Sequence, residues 1–178
     1  MEFVAGQTAI IVPVPEAESA TSCWREKFDD SARAGVPAHV TVIAPFLPVD
    51  RIAAVVDKLS ELVNGFAAFE ATFSRFDEFP GLLYLAPDDG APFSQLTEAV
   101  ARRWPEAPPY AGEVEDPIPH LTVAVNQDPA TVTDIVRDAT AYLPLVSWIG
   151  EAWLLWFDGH AWSRAAVLPL GGAERSPR

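Results

Sequence analysis

Apolar and polar positions run in short blocks along this chain, and proline closes most of the blocks. Residues 8–14 are rich in β-branched side chains and bounded by Pro13 and Pro15, which predicts a strand. Residues 16–34 are mixed, with Trp24 and Phe28 four apart on one face of a helix that Gly35-Val36-Pro37 ends. Residues 39–46 predict a second strand. Asp50 then stands as the N-cap of a helix whose Ile52, Val55, Val56, Leu59 and Leu62 form an apolar stripe. Residues 69–76 and 82–85 predict a hairpin turning through Glu78-Phe79-Pro80-Gly81. A helix is expected over 91–104, a proline-rich loop carrying Tyr110 over 105–119, a strand over 120–125, and a helix from 129 to about 142. Two long strands, 146–157 and 162–170, flank a turn at Asp158-Gly159-His160.

That order contains a repeat. Pro37-Ala38-His39-Val40-Thr41-Val42 is answered 81 residues later by Ile118-Pro119-His120-Leu121-Thr122-Val123. Each strand leads into an amphipathic helix, with 13 residues from His39 to Ile52 and 12 from His120 to Val132. Two units of this length are not a solenoid. They predict an internally duplicated α+β domain over residues 1–170, with halves at roughly 8–90 and 91–170 packed as two lobes. Residues 171–178 lack an apolar anchor and read as a flexible tail.

Composition narrows the function more than it defines it. The chain has 178 residues, enough for one domain that buries roughly 70% of the surface its unfolded form exposes. One cysteine and three histidines cannot build a zinc finger or an internal disulfide, and no metal is expected. The net charge of −13 repels phosphate backbones, which argues against DNA and against a long RNA footprint. A small anion in a local pocket is compatible with it. No apolar stretch approaches the ~18 residues of a membrane helix, and Met1-Glu2-Phe3-Val4 carries no basic leader, so a cytoplasmic monomer away from membranes is expected.

The repeated triplet carries the chemistry. Side chains alternate faces on a strand, so His39 and Thr41 share one face and Val40 and Val42 the other; His120 and Thr122 behave likewise. If the two halves are related by a pseudo-twofold axis, both pairs face one cleft. Imidazoles exchange protons near neutral pH, and one base opposite one acid suits displacement at phosphorus without a metal. Threonine hydroxyls donate to the phosphate oxygens that gain charge. A lone His-x-Thr is commonplace, but here two of only three histidines carry it, both inside apolar strands. His160, after Asp158-Gly159, reads as a solvated turn residue.

With paired His39-Val40-Thr41-Val42 and His120-Leu121-Thr122-Val123 on duplicated strand–helix units, the sequence resembles the 2H phosphoesterase superfamily over residues 8–170. That superfamily includes bacterial 2′-5′ RNA ligases and 2′,3′-cyclic phosphodiesterases. The resemblance implies two antiparallel sheets with outer helices around a central cleft. It also implies His39 and His120 as an acid–base pair, Thr41 and Thr122 as phosphate ligands, and no cofactor. A small nucleotide or cyclic phosphate is the expected substrate. RNA ends joined by ligation, or a nucleotide bound without catalysis, are the alternatives, and a purely structural domain would need the two motifs to be accidental. Tyr84, Tyr110 and Arg164 are further candidates for substrate contact, and Arg75 also lies on a strand. Trp148, Trp153, Trp156 and Trp162 crowd the final strands, where packing is the expected role and stacking a nucleobase the lesser one.

Overall fold

The computed structural model describes residues 3–114 and 116–172. Its eight strands are β1 (Thr8–Pro13), β2 (His39–Ile43), β3 (Phe69–Phe79), β4 (Leu82–Pro87), β5 (Leu121–Val125), β6 (Leu145–Ile149), β7 (Glu151–Phe157) and β8 (Trp162–Pro169). The helices are α1 (Glu18–Phe28), α2 (Asp30–Arg33), α3 (Val49–Ile52), α4 (Val56–Asn64), α5 (Ala91–Arg103) and α6 (Pro129–Ala139). The strands form two four-stranded antiparallel sheets, ordered β2-β1-β7-β8 and β5-β4-β3-β6, an α+β fold of two lobes.

The lobes do not coincide with the halves 8–90 and 91–170. Each sheet takes strands from both: β7 and β8 join β1 and β2, while β3 and β4 join β5 and β6. Gly150 makes the exchange possible, and it divides the stretch 146–157 that reads as one long strand. Up to Gly150 the buried positions are the odd ones, Leu145, Ser147 and Ile149; beyond it Ala152 and Leu154 take that place. An unbroken strand cannot change phase in this way. At this glycine the chain leaves β3 and joins β1, while its carbonyl accepts from Leu170 N–H at 2.9 Å.

Two helices are also interrupted. The span 16–34 breaks at Asp29, whose extended backbone (φ −131°, ψ 114°) lets its side chain cap Ser31 N–H at 2.9 Å. In the next helical span Pro48, not Asp50, holds the N-cap position, and the helix divides into α3 and α4. Of its expected apolar stripe Ile52 and Leu59 are buried and Val55, Val56 and Leu62 half-buried, and Val63, outside that stripe, is buried as well. At the C-terminal end Gly171 is tied down by a bridge to Ala67 and a bond to the Phe66 carbonyl at 2.8 Å, so only residues 173–178 of the expected tail lie outside the described residues.

The helices cover the faces of the sheets that turn away from the cleft. α5 packs on β2, where Thr97 donates to the Val42 carbonyl at 3.0 Å, and α1 packs on β5. Val40, Val42, Leu121 and Val123 are all buried there, 2% exposed or less. Each carries the full apolar transfer term for a core side chain, about 1.5–3 kcal/mol. No helix among the described residues is long and apolar enough to cross a membrane.

Candidate active site

β2 and β5 are edge strands of different sheets, and they meet across the cleft. Because their valines and leucine point into the core, His39, Thr41, His120 and Thr122 must point the other way, and all four line one cavity of about 260 Å³. The register of the neighbouring strands sets what stands beside each of them. Pro13 stands opposite His39, Ile11 opposite Thr41, and Tyr84 opposite Thr122.

Both imidazoles are held in the same way. His39 Nδ1 lies 2.7 Å from the Pro37 carbonyl and His120 Nδ1 lies 2.8 Å from the Ile118 carbonyl, in each case two residues back. A carbonyl only accepts, so Nδ1 carries the proton and Nε2 keeps its lone pair for the cavity. Burial lowers the pKa of both rings. For His39 the fall reaches about 4, driven first by burial and next by the Arg25 guanidinium, against the Pro37 bond and Asp29, which favour the proton. For His120 burial outweighs the Ile118 bond.

Behind His39 lies a polar cluster that the sequence reading did not single out. Arg25, 2% exposed, donates to Asp29 at 3.0 Å and to the Val36 carbonyl at 3.2 Å. Asp29 also accepts from the Ser31 hydroxyl, and Asp29, Asp30 and Ser31 form part of the cavity wall. Asp29-Asp30-Ser31 is a cap signature inside an otherwise helical span, and that was the available signal. The described lining contains no lysine or arginine.

The remaining candidates separate. Tyr110 lines the cavity, on a turn whose Tyr110 and Ala111 both take left-handed backbone (φ 51° and 55°), and its N–H donates to the Ala44 carbonyl at 3.1 Å. Tyr84 does not line it. Only 4% exposed, Tyr84 packs on Phe79 (4.4 Å between ring centroids) and on His120 (5.4 Å), so it supports the histidine ring from the side. Directly opposite partners share a sheet face, so Tyr84 lies beside Thr122, and packing on Phe79 and His120 keeps its ring out of the lining. Arg164 is exposed, opposite Leu155, with its guanidinium 4.4 Å from the Trp153 ring centroid. Arg75 and His160 are exposed. Of the four tryptophans, Trp162 is buried on the floor of the cavity, edge-on to Phe3, and the others are half-buried. No group of three or more His, Cys, Asp or Glu is placed to hold a metal among the described residues.

The same architecture occurs in solved structures. E. coli LigT complexed with 3′-AMP superposes with a TM-score of 0.61 at 16% identity, covering 94% of this chain and 99% of that one. TT0787 of Thermus thermophilus gives 0.62 at 16% identity, covering 93% and 99%. A protein described only as a phosphoesterase gives 0.60 at 15% identity, covering 94% and 99%. A comparison of the sequence with curated proteins finds no match. At these identities the structural likeness establishes the fold, and the sequence supplies the family. The model of the 2′-5′ RNA ligase superfamily matches residues 12–161, a span that includes both His-x-Thr strands and most of the cavity lining, and the chain belongs to that superfamily, the 2H phosphoesterases.

Proposed function

We propose that this protein is a metal-independent phosphoesterase that opens a small cyclic phosphate or a 2′-5′-linked nucleotide between His39 and His120. The observation that supports this most is the matched pair of imidazoles in one cavity, each with Nδ1 fixed on a carbonyl and Nε2 left for chemistry. His39, next to Arg25, holds a proton more weakly and takes the part of base. Its Nε2 accepts a proton from the attacking water as the new P–O bond forms. His120 in its protonated state gives its Nε2 proton to the leaving oxygen as the old P–O bond breaks, so the pair ends with the proton exchanged. Thr41 and Thr122 donate their hydroxyls to the non-bridging oxygens.

Solved structures with this fold are complexed with NADP+, 3′-AMP and ATP, which fits a nucleotide-sized ligand here. Ligation of RNA ends is the same displacement with a ribose hydroxyl as acceptor. A wall whose described residues include Asp29 and Asp30 and no lysine or arginine favours the small substrate over a long polyanion.

The test is turnover by purified protein, with EDTA present, of 2′,3′-cyclic nucleotides, ADP-ribose cyclic phosphate and 2′-5′-linked dinucleotides. Hydrolysis of at least one is expected. His39→Ala and His120→Ala should each reduce it about 10²–10⁴-fold. The double variant should be far from multiplicative, because the two groups act as a unit. Thr41→Ala and Thr122→Ala should lose less, since they remove a hydrogen bond and no proton carrier. Full activity in His120→Ala would overturn the two-histidine mechanism.

A further inference from the structure

A second cavity, of about 330 Å³, opens beside the first, and the proposed function gives it no task. Its walls include Pro13, Pro37, Trp148 and Trp153, with the carboxylates of Glu18 and Glu151. It lies on the same sheet face as the His/Thr pair. Pro13 is the register partner of His39, and Ile11 is the partner of Thr41 on one side and of Trp153 on the other. Trp153 therefore stands two strand spacings from Thr41, about 9.6 Å at ~4.8 Å per spacing. A nucleotide spans such a distance from its phosphate to its base.

We propose that this second cavity is a nucleobase subsite for the nucleotide whose phosphate sits between His39 and His120, selective for bases that carry an amino group. This rests on the phosphoesterase reading and adds the substrate class to it. Trp153 is a fixed platform, because its Nε1–H donates to Glu151 at 2.6 Å and its ring is crossed by the Arg164 guanidinium 4.4 Å from the centroid. A ring has two faces, so the arginine leaves one for a base, and base–aromatic stacking is tolerant of sequence. Selectivity comes from the carboxylates. Glu151 spends one oxygen on Trp153, and Glu18 spends one on Ala38 N–H at 2.6 Å. Their remaining oxygens accept from the exocyclic amines of adenine, cytosine or guanine, whereas uracil brings a single N3–H flanked by two carbonyls that the carboxylates repel. An organic cation would also suit tryptophans beside carboxylates, but Arg164 already supplies that cation, and Pro13 and Pro37 in this wall adjoin His39, the first as its register partner and the second through its carbonyl.

The test is calorimetric binding of nucleoside 3′-monophosphates (adenosine, cytidine, guanosine and uridine) to the full chain, with inorganic phosphate and choline as further probes. The amino-bearing nucleotides should bind about 10-fold tighter than the uridine nucleotide. Trp153→Ala should weaken them about 10-fold and erase the difference, while Trp153→Phe keeps most of both and inorganic phosphate binding stays unchanged in each. Equal affinity for all four bases, or nucleotide binding untouched by Trp153→Ala in a protein that still hydrolyses cyclic phosphates, would overturn the subsite and leave the phosphoesterase standing. Choline binding that depends on Trp153 without any base preference would overturn it in favour of a cation site. Absence of both phosphate binding and turnover would overturn the two together.

Discussion

Arg25 sits behind His39 and pushes its proton away. After burial it is the largest cause of the fall in the His39 pKa to about 4, and His120 across the cavity is lowered as well. Both rings are therefore mainly neutral at pH 7 in the free protein, while displacement at phosphorus asks for one neutral and one protonated ring. The incoming phosphate resolves the conflict, because an anion within a few ångströms favours the charged form of each imidazole.

A pH–rate profile should show this directly. The free enzyme's singly protonated state is most populated between about 4 and 6.5, so kcat/KM should be bell-shaped with its maximum on the acid side of 6.5. The kcat profile, which reports the bound state, should peak at higher pH. Steady-state rates from pH 4 to 8 decide it. A kcat/KM that climbs through 6.5 to a plateau at 8 would mean that no protonated imidazole takes part.

Arg25→Met leaves Asp29, 4% exposed, as a buried charge without its partner. Losing one member of a buried pair costs about 3–5 kcal/mol, so thermal denaturation should show a large drop. The double variant Arg25→Met/Asp29→Leu should recover most of it, since neither charge then remains to be desolvated. In the double variant the His39 pKa should also rise, because the guanidinium lowers it by more than Asp29 raises it. Proton NMR titration of the imidazole reads that shift. An unchanged or lower His39 pKa in the folded double variant would show that Arg25 is structural only.

Acid should destabilise the protein through His39. Its folded pKa, about 4, lies below the unfolded value of 6.5, so the unfolded chain binds more protons between these limits. Stability contributed by the neutral ring is therefore present above pH 6.5 and is lost as pH falls toward 4, by at most roughly 3 kcal/mol. Urea denaturation of the protein and of His39→Gln at pH 7 and pH 4.5 compares the two slopes. The variant should lose less on acidification. Parallel losses would place the acid sensitivity elsewhere.

The sequence made the chemistry more legible than the topology. His39, Thr41, His120 and Thr122 could be placed together because strand alternation and the 81-residue repeat are both local patterns. The exchange of strands between halves was not local. A phase change at Gly150 decides it, and reading 146–157 as one strand passes over that change because the small Ala152 and the polar Ser147 blur the alternation. Asp29 escaped notice because its partner Arg25 reads as an ordinary helical cation until the helix packs and buries it. Tyr84 and Tyr110 look alike in the sequence. Only the β4–β5 register puts the first beside Thr122 and against the His120 ring, and only the left-handed turn carries the second into the cavity.

That turn yields the last prediction. Tyr110 and Ala111 are consecutive non-glycine residues at φ 51° and 55°, a conformation that costs an L-residue about 1–2 kcal/mol. Glycine pays no such cost, so Ala111→Gly removes strain and gives back part of it as extra freedom in the unfolded chain. A net gain of up to about 1 kcal/mol is expected in denaturant unfolding. The same change loosens the turn that aims Tyr110 at the cavity, which is otherwise held by the Tyr110 N–H bond to the Ala44 carbonyl and the Glu113 N–H bond to the Tyr110 carbonyl. KM should then rise several-fold while kcat stays close to its original value, because substrate positioning loosens and both histidines are untouched. Tyr110→Phe separates the ring from the hydroxyl: it should preserve KM if the ring packs on substrate and raise it if the hydroxyl binds. Lower stability in Ala111→Gly would contradict the strained geometry, and higher stability with unchanged KM would show that Tyr110 lines the cavity without holding what enters it.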